Sequence, residues 1–420
     1  MIFMTLAVAV QPLFLRNVLG VSFESAGTSN ATVLVVTELL DLVLVGYLGV
    51  LSDRFGRVPF LVAGFLVSAI GAFLAPFSAA IGVLLGVGGI AIYYLARIIM
   101  SLGNCAIWPQ LSMLAGDFTD YDNRARHMAN MAFMMAFGAT LVYAILMQIP
   151  QHAGVIAVML LTGVVALIGA WLGKRYLIDI APRQAEAGIP WKRIGRTLRK
   201  RREMRLAFAS AFFARSDMVF IGLFLMMWFI YFADLVGMDQ EAAAAHAGGV
   251  IGLAAFVVLA SIPFWGLIIE RFGRVLAISL GMALSGAGLC ILGLVVNPFE
   301  WQALVPVALV AVGQAGCLVA PQVLAIDLSP KEIRGSVLGA FNVIGGIGII
   351  VFVQVGGFLF DRIGPHAPFI LNGIGNLAIM VYGLLVYRAS TNPREARREH
   401  DGDDLEAVVG SKAFDGPGLV

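Results

Sequence analysis

The stretch Gly49–Val58, GVLSDRFGRV, ends a long apolar run by packing two arginines, an aspartate and two glycines into ten positions. Gly266–Val275, GLIIERFGRV, repeats nearly the same pattern. Gly49, Gly56 and Arg57 recur 217 positions later as Gly266, Gly273 and Arg274. The register extends back to Gly20 and Glu24, which map to Gly237 and Glu241. Further along it shifts to 212, where Pro109 and Gln110 return as Pro321 and Gln322. A charged turn repeated at a fixed displacement between apolar runs marks a chain built from two copies of one plan.

The runs define what kind of plan it is. Of the 420 residues, 60% are hydrophobic and 13% charged, and the mean hydropathy is +0.91. No water-soluble core needs that much apolar surface. The apolar residues come in runs of about 20, the length of a helix that crosses a bilayer. They predict about twelve spans, starting near residues 1, 29, 58, 90, 128, 155, 205, 247, 275, 302, 336 and 367. All 28 Lys and Arg except Arg16, Arg97, Arg215 and Arg362 fall on connections that share one face. The positive-inside rule makes that face cytoplasmic. The expectation is a multi-pass protein of the bacterial inner membrane with both termini in the cytoplasm. Each copy has an even number of spans, so the two run the same way about an axis along the membrane normal.

The organisation read from this pattern is a first bundle over 1–173, a basic cytoplasmic linker over 174–204, a second bundle over 205–387 and a polar tail over 388–420. The linker reads as a solvated segment on anionic headgroups and not as a nucleic-acid patch. The tail is too polar and glycine-rich to bury, which predicts disorder. By the repeat offset, the counterpart of the span at Arg205 starts about a dozen residues before Met1. A truncated first helix, with the natural start upstream, is therefore expected. Cys105, Cys290 and Cys317 lie singly in apolar runs, so neither a disulfide framework nor a metal site is expected. There is no phosphate loop and no nucleophile elbow, which argues against an enzyme or an ATP-driven pump.

Gly49, Leu51, Asp53, Arg54, Gly56 and Arg57 match the pattern G-x-L-x-D-R-x-G-R. In this the chain resembles the major facilitator superfamily over about residues 1–387. The second copy keeps Gly266, Arg271, Gly273 and Arg274, and has Glu270 where the pattern has aspartate. The resemblance implies an all-α membrane protein, with twelve transmembrane helices in two six-helix bundles, that works by alternating access. It also implies a monomer without cofactors, driven by a proton gradient. In the family the charged turns form a latch. Asp53 would meet the N-terminus of the eleventh helix and Glu270 that of the fifth, where unpaired amides favour an anion. Gly49 and Gly266 would let neighbouring helices approach closely, and Gly56 and Gly273 would permit the turns. Arg97, with Ser101 and Gly103, resembles the arginine of the family's fourth helix, and its position in the second copy is Leu309. The glycine-and-proline motif of the family's drug exporters is reduced in the fifth span to Gly138.

Four more charges lie deep in spans: Glu38, Asp41, Arg215 and Asp217. At about 1.5 Å per residue, Asp41 sits roughly 18 Å from Asp53 and Arg215 roughly 15 Å from Arg205, near the midplane. Charge in hydrocarbon must face a cavity or a partner. The expectation is that Glu38 or Asp41 pairs with Arg97 and carries protons, while Arg215 meets an anionic part of the substrate. Asp217 joins these candidates, and Asn104, Gln110, Gln314, Gln322 and Asn342 are candidate cavity donors. The function this predicts is secondary active transport of a small organic solute, coupled to protons by symport or antiport. The alternatives are a multidrug or metabolite:proton efflux antiporter, or a solute sensor of the same fold that moves nothing. The partners are then a small solute, protons and the lipid bilayer.

Overall fold

The computed structural model describes residues 2–117, 124–179, 201–329 and 334–391. Among these residues the chain forms twelve helical spans. They are α1 (Ile2–Asn17), α2 (Phe23–Phe55), α3 (Arg57–Leu85), α4 (Gly89–Asp117), α5 (Arg124–Ala144, continued by the turn Leu146–Gln148) and α6 (Pro150–Tyr176). After the linker come α7 (Arg202–Val236), α8 (Gln240–Phe272), α9 (Arg274–Leu292), α10 (Trp301–Asp327), α11 (Arg334–Arg362) and α12 (Ala367–Thr391). Ten are long and apolar enough to cross a membrane, while Ile2–Asn17 and the Phe133–Gln148 part of α5 are shorter.

The repeat read from the sequence is present in the backbone. Helix α2 runs Phe23–Phe55 and α8 runs Gln240–Phe272, 33 residues each, and both ends differ by the same 217. The glycines before these helices, Gly20 and Gly237, take φ of 66° and 67°, and those after them, Gly56 and Gly273, take 97° and 83°. These left-handed conformations suit glycine alone, so each copy spends its glycines on the same two turns. Pro109 and Pro321 both lie inside their helices, α4 and α10.

Both α2 and α8 begin about six residues earlier than hydropathy predicts. Their first two turns are polar or small and lie beyond the apolar stretch, yet they stay helical because their ends are tied. Asp239 caps α8 by accepting from the amides of Glu241 and Ala242 at 3.0 and 3.2 Å. The start of α2 is held instead by the second half of the chain. Asp361 of α11 accepts from the amides of Gly27 and Thr28 at 2.6 and 2.8 Å and from the Thr28 hydroxyl.

That contact belongs to a seal between the halves at the face poor in basic residues. Arg16 pairs with Asp234 at 2.7 Å, and the Tyr231 hydroxyl donates to the Val21 carbonyl at 3.0 Å. Gln148 donates to the Ala245 carbonyl at 2.8 Å. Phe23 packs edge-on against Tyr231 and tilted against Phe360, with ring centroids 5.7 and 5.5 Å away. The helices cross here with almost no side chain between them. A Cβ on Gly357 would lie 2.6 Å from the Gly27 carbonyl, and one on Gly252 would lie 2.7 Å from the Ala144 amide. Small residues of this kind let membrane helices associate through their backbones.

At the opposite, basic face two polar contacts between described residues each lie within one half. Arg274 pairs with Asp327 at 2.8 Å, and Asp179 accepts from the amides of Arg57 and Val58 at 3.0 and 3.1 Å. Glu270 and Arg271 are exposed, and the Arg271 guanidinium lies over the adjacent Phe272 ring. The side chains of Gly49, Asp53 and Arg54 lie outside the described residues, as does residue 1 and everything in 180–200 and 392–420. One expectation is corrected. Among the described residues no atom beyond the local helix comes within 4 Å of a Cβ built on Gly266, so in this conformation the glycine does not sit at a close helix crossing.

Gly357→Val should therefore destabilise the detergent-solubilised protein by about 1–3 kcal/mol through overpacking. Gly266→Val should change stability by less than about 0.5 kcal/mol, as open surface sites do. Thermal unfolding of the two variants side by side measures the difference.

Candidate functional site

The intramembrane charges fall into three separate environments. The first lies between the halves. Glu38 of α2 is half-buried, and its Oε1 sits 2.9 Å from where a Cβ on Gly346 of α11 would stand. The flanking Gly345 makes room in the same way for the stem of Arg215, from α7. The absence of side chains at these two glycines lets α2 and α7 reach neighbouring positions on α11. Arg215 is the cation in whose field Glu38 stands, and its Nη1 donates to the Asn342 Oδ1 at 2.6 Å. Arg215 and Asn342 are exposed. Among the described residues no ion pair closes between Glu38 and Arg215, so each remains open to another partner.

The second environment lies inside the first half, one turn along α2. Asp41 accepts from the Ser101 hydroxyl at 2.8 Å, the Cys105 thiol at 2.7 Å and, at 3.5 Å, the Asn104 amide. All three donors come from one face of α4. Arg97, a turn before Ser101 on α4, feels the charge of Asp41 but makes no ion pair with it. The guanidinium is buried at 7% exposure, and its Nε has no hydrogen-bond partner. It lines a cavity of about 10 Å³ together with Tyr93, Met100, Met159 and Thr162, and the Tyr93 hydroxyl there is also without a partner.

The third environment is the interior of the second half, where Asp217 is fully buried among neutral donors from α9 and α12. It is thus separated from the Glu38–Arg215 face, although only one residue lies between it and Arg215. The two side chains leave α7 in different directions, as residues two apart on a helix do.

The amide candidates also divide. Asn104 and Asn342 belong to the groups just described, and the Asn104 Oδ1 is buried without a partner. Gln110 is fully buried with both side-chain ends unpaired, Gln314 is buried with its Nε2 unpaired, and Gln322 is exposed. The sequence reading missed Cys105 as a partner of Asp41, together with Ser285, Asn372 and Asn376 around Asp217. The two asparagines are four apart within an apolar span, a spacing that places them on one helix face and that could have flagged them.

Two six-span copies sealed at one face, with charged side chains facing each other between them, form a scaffold shared with known proteins. The major facilitator superfamily model matches residues 1–259 and 224–416. Magnetosome protein MamH of Paramagnetospirillum magneticum is 59% identical over 404 residues, covering 96% of this chain and 92% of that one. Magnetosome protein MamZ of Magnetospirillum gryphiswaldense is 40% identical over 381 residues, and the matched part of the chain spans 59% of its length. The nucleoside transporter NupG superposes with a TM-score of 0.72 at 13% identity, over 92% of this chain and 96% of that structure, a likeness of fold alone. The chain is a multi-pass integral membrane protein and belongs to the major facilitator superfamily, a family of non-enzymatic transporters.

Proposed function

We propose that this protein is a secondary active transporter that moves a small organic anion together with protons, by alternating access, across the magnetosome membrane. The membrane assignment is supported by its 59% identity with magnetosome protein MamH over nearly the whole length of both chains. The observation that carries the transport chemistry is the approach of Glu38, from the first half, to Arg215, from the second, over the bare faces of Gly345 and Gly346. When Glu38 is ionised it offsets the Arg215 charge and holds the halves in register. A proton on Glu38 removes that attraction and leaves the guanidinium to an anionic solute, with Asn342 fixing its plane. Proton and anion then bind together and leave together, which is symport. Asp41, dressed by Ser101, Cys105 and Asn104, is the second carboxylate that can exchange a proton near the same path. The seal at the basic-poor face, where Arg16 pairs with Asp234 and Asp361 holds the start of α2, supports a state closed on that side.

Proteoliposomes loaded with a pH-sensitive dye and challenged with a panel of small mono- and dicarboxylates test the reading. At least one solute should carry protons inward through the wild type. Glu38→Gln should abolish proton entry while leaving counterflow of the same radiolabelled solute within about threefold, because neutralisation removes the coupling and not the site. Intact proton coupling in that variant would overturn the assignment of Glu38.

Arg97 gives a second test. With no ion pair to lose, Arg97→Met should melt within about 1 kcal/mol of the wild type in detergent. Breaking a buried pair would lower stability by about 3–5 kcal/mol.

A further inference from the structure

Arg97 is 7% exposed, and among the described residues no carboxylate closes an ion pair with it. Its Nε has no hydrogen-bond partner, and neither has the hydroxyl of Tyr93, a fully buried residue one turn earlier on α4. Residues four apart share a helix face. The adjacent Tyr94 does find an acceptor, since its hydroxyl donates to the Ser29 carbonyl at 2.9 Å. Tyr93 instead lays its ring on Phe14 of α1, with centroids 5.2 Å apart, and that stack fixes where its hydroxyl stands.

Both residues line the cavity of about 10 Å³ between α1, α3, α4 and α6. Small side chains of α1 and α3 leave the space, and the thioethers of Met100 and Met159 border it. The remaining polar residue of the wall, Thr162, spends its hydroxyl proton on the Val158 carbonyl at 3.1 Å. No carboxylate lines the cavity. The wall therefore offers two free donors and a positive charge, with no anionic group to meet them.

A buried charge without a partner is costly. A carboxyl in that position takes up a proton, but a guanidinium stays charged at any ordinary pH. The compensation for Arg97 has to come from another group. Asp41, whose charge reaches it through space, is already engaged by Ser101 and Cys105. A water molecule would accept from both free donors but would bring no charge. A monatomic anion supplies acceptor and charge together. Space decides the size, because a volume near that of one water excludes phosphate, sulfate and carboxylates. A chloride ion is only slightly larger than a water, and flexible, polarisable thioethers adjust to it. The fold itself does not require the two donors, since the 212 offset puts Val305 and Leu309 at their positions in the second copy.

We propose that Arg97 and Tyr93 bind one chloride ion inside the first half. The site lies apart from the Glu38–Arg215 face and does not depend on the solute carried there. Thermal unfolding of the full chain in detergent, with sodium chloride replacing sodium gluconate at constant ionic strength and pH, is the experiment. Chloride should raise the melting temperature of the wild type saturably, by about 1–2 °C. General salt effects act on every variant alike, so each variant is compared with itself in the two salts. Arg97→Met should melt alike in both. Tyr93→Phe, which keeps the stacked ring and removes only the hydroxyl, should need about tenfold more chloride for half-saturation, and it decides the matter if Arg97→Met does not fold. A wild type that melts identically in chloride and gluconate would show a cavity filled by water alone and would overturn the proposal. A response like that of the wild type in Arg97→Met, or in Tyr93→Phe where only that variant folds, would also overturn it.

Discussion

Backbone laid directly on backbone at Gly27–Gly357 and Gly252–Ala144 is the contact on which the rest of the arrangement depends. In hydrocarbon there is little hydrophobic drive between helices, so association comes from close packing and from polar contacts that lipid cannot offer. With α2 seated on α11 and α5 on α8, the amides of Gly27 and Thr28 come within reach of Asp361. Arg16 can then meet Asp234, and the seal closes with salt bridge, hydrogen bond and aromatic contacts together. The same seating continues down α11 to Gly345 and Gly346, where it brings Glu38 opposite Arg215. A bulkier residue at the crossing would both loosen the seal and move the two charges apart.

The charges within the membrane are each solved differently, and the solution limits what each can do. Asp41 is saturated by a hydroxyl, a thiol and an amide from one face of α4, so its ionised form has donors without a cation. Asp217 is similarly dressed but sealed from both the interface and solvent. Glu38 has the opposite character: it stands near a cation from the other half without closing a bond to it. A group in that position responds to motion of the halves, since rocking alters its distance to Arg215 while Asp41 and Asp217 keep their donors. Arg97 is the exception, a buried guanidinium whose Nε finds no acceptor. It borders the cavity between α1, α3, α4 and α6, and among the described residues Asp41 is the carboxylate whose charge supports it.

Much of this was legible in the sequence, for a reason particular to membranes. Hydrocarbon imposes length and composition on a span, so twelve apolar runs and a fixed repeat offset were enough to give the fold and its internal symmetry. The ends of α2 and α8 were not legible. Their first turns are polar, and what keeps them helical is a cap and a contact with a distant helix. Depth of the charged residues could be counted along each helix, but direction around the helix could not. Of Glu38 and Asp41, either of which was expected to pair with Arg97, Glu38 therefore faces Arg215 and Asp41 stands near Arg97 without pairing with it, while Asp217 points into its own bundle and Arg215 points out. The glycines show the same limit: on one helix, α8, Gly266 lies clear of other helices among the described residues while Gly252 sits at a crossing.

The two copies share their backbone and differ in chemistry. At the repeat offsets, Glu38 and Asp41 correspond to Ala255 and Val258, Arg97 to Leu309, and Asn104 to Gly316. The space that holds the Asp41 cluster in the first half is closed in the second by Trp265, whose ring lies against Gly316 and whose Nε1 donates to the Val312 carbonyl. The second half instead places its acid at Asp217 and ties it to α9 and α12. A duplicated scaffold needs matching turns and crossings to rock symmetrically, and these it kept, down to the paired glycine conformations. It does not need matching charges. Two carboxylates in the first half and one arginine at the face of the second give the interface a direction that a symmetric pair of bundles would lack. That polarity is what the proposed coupling between a proton on Glu38 and the guanidinium of Arg215 rests on.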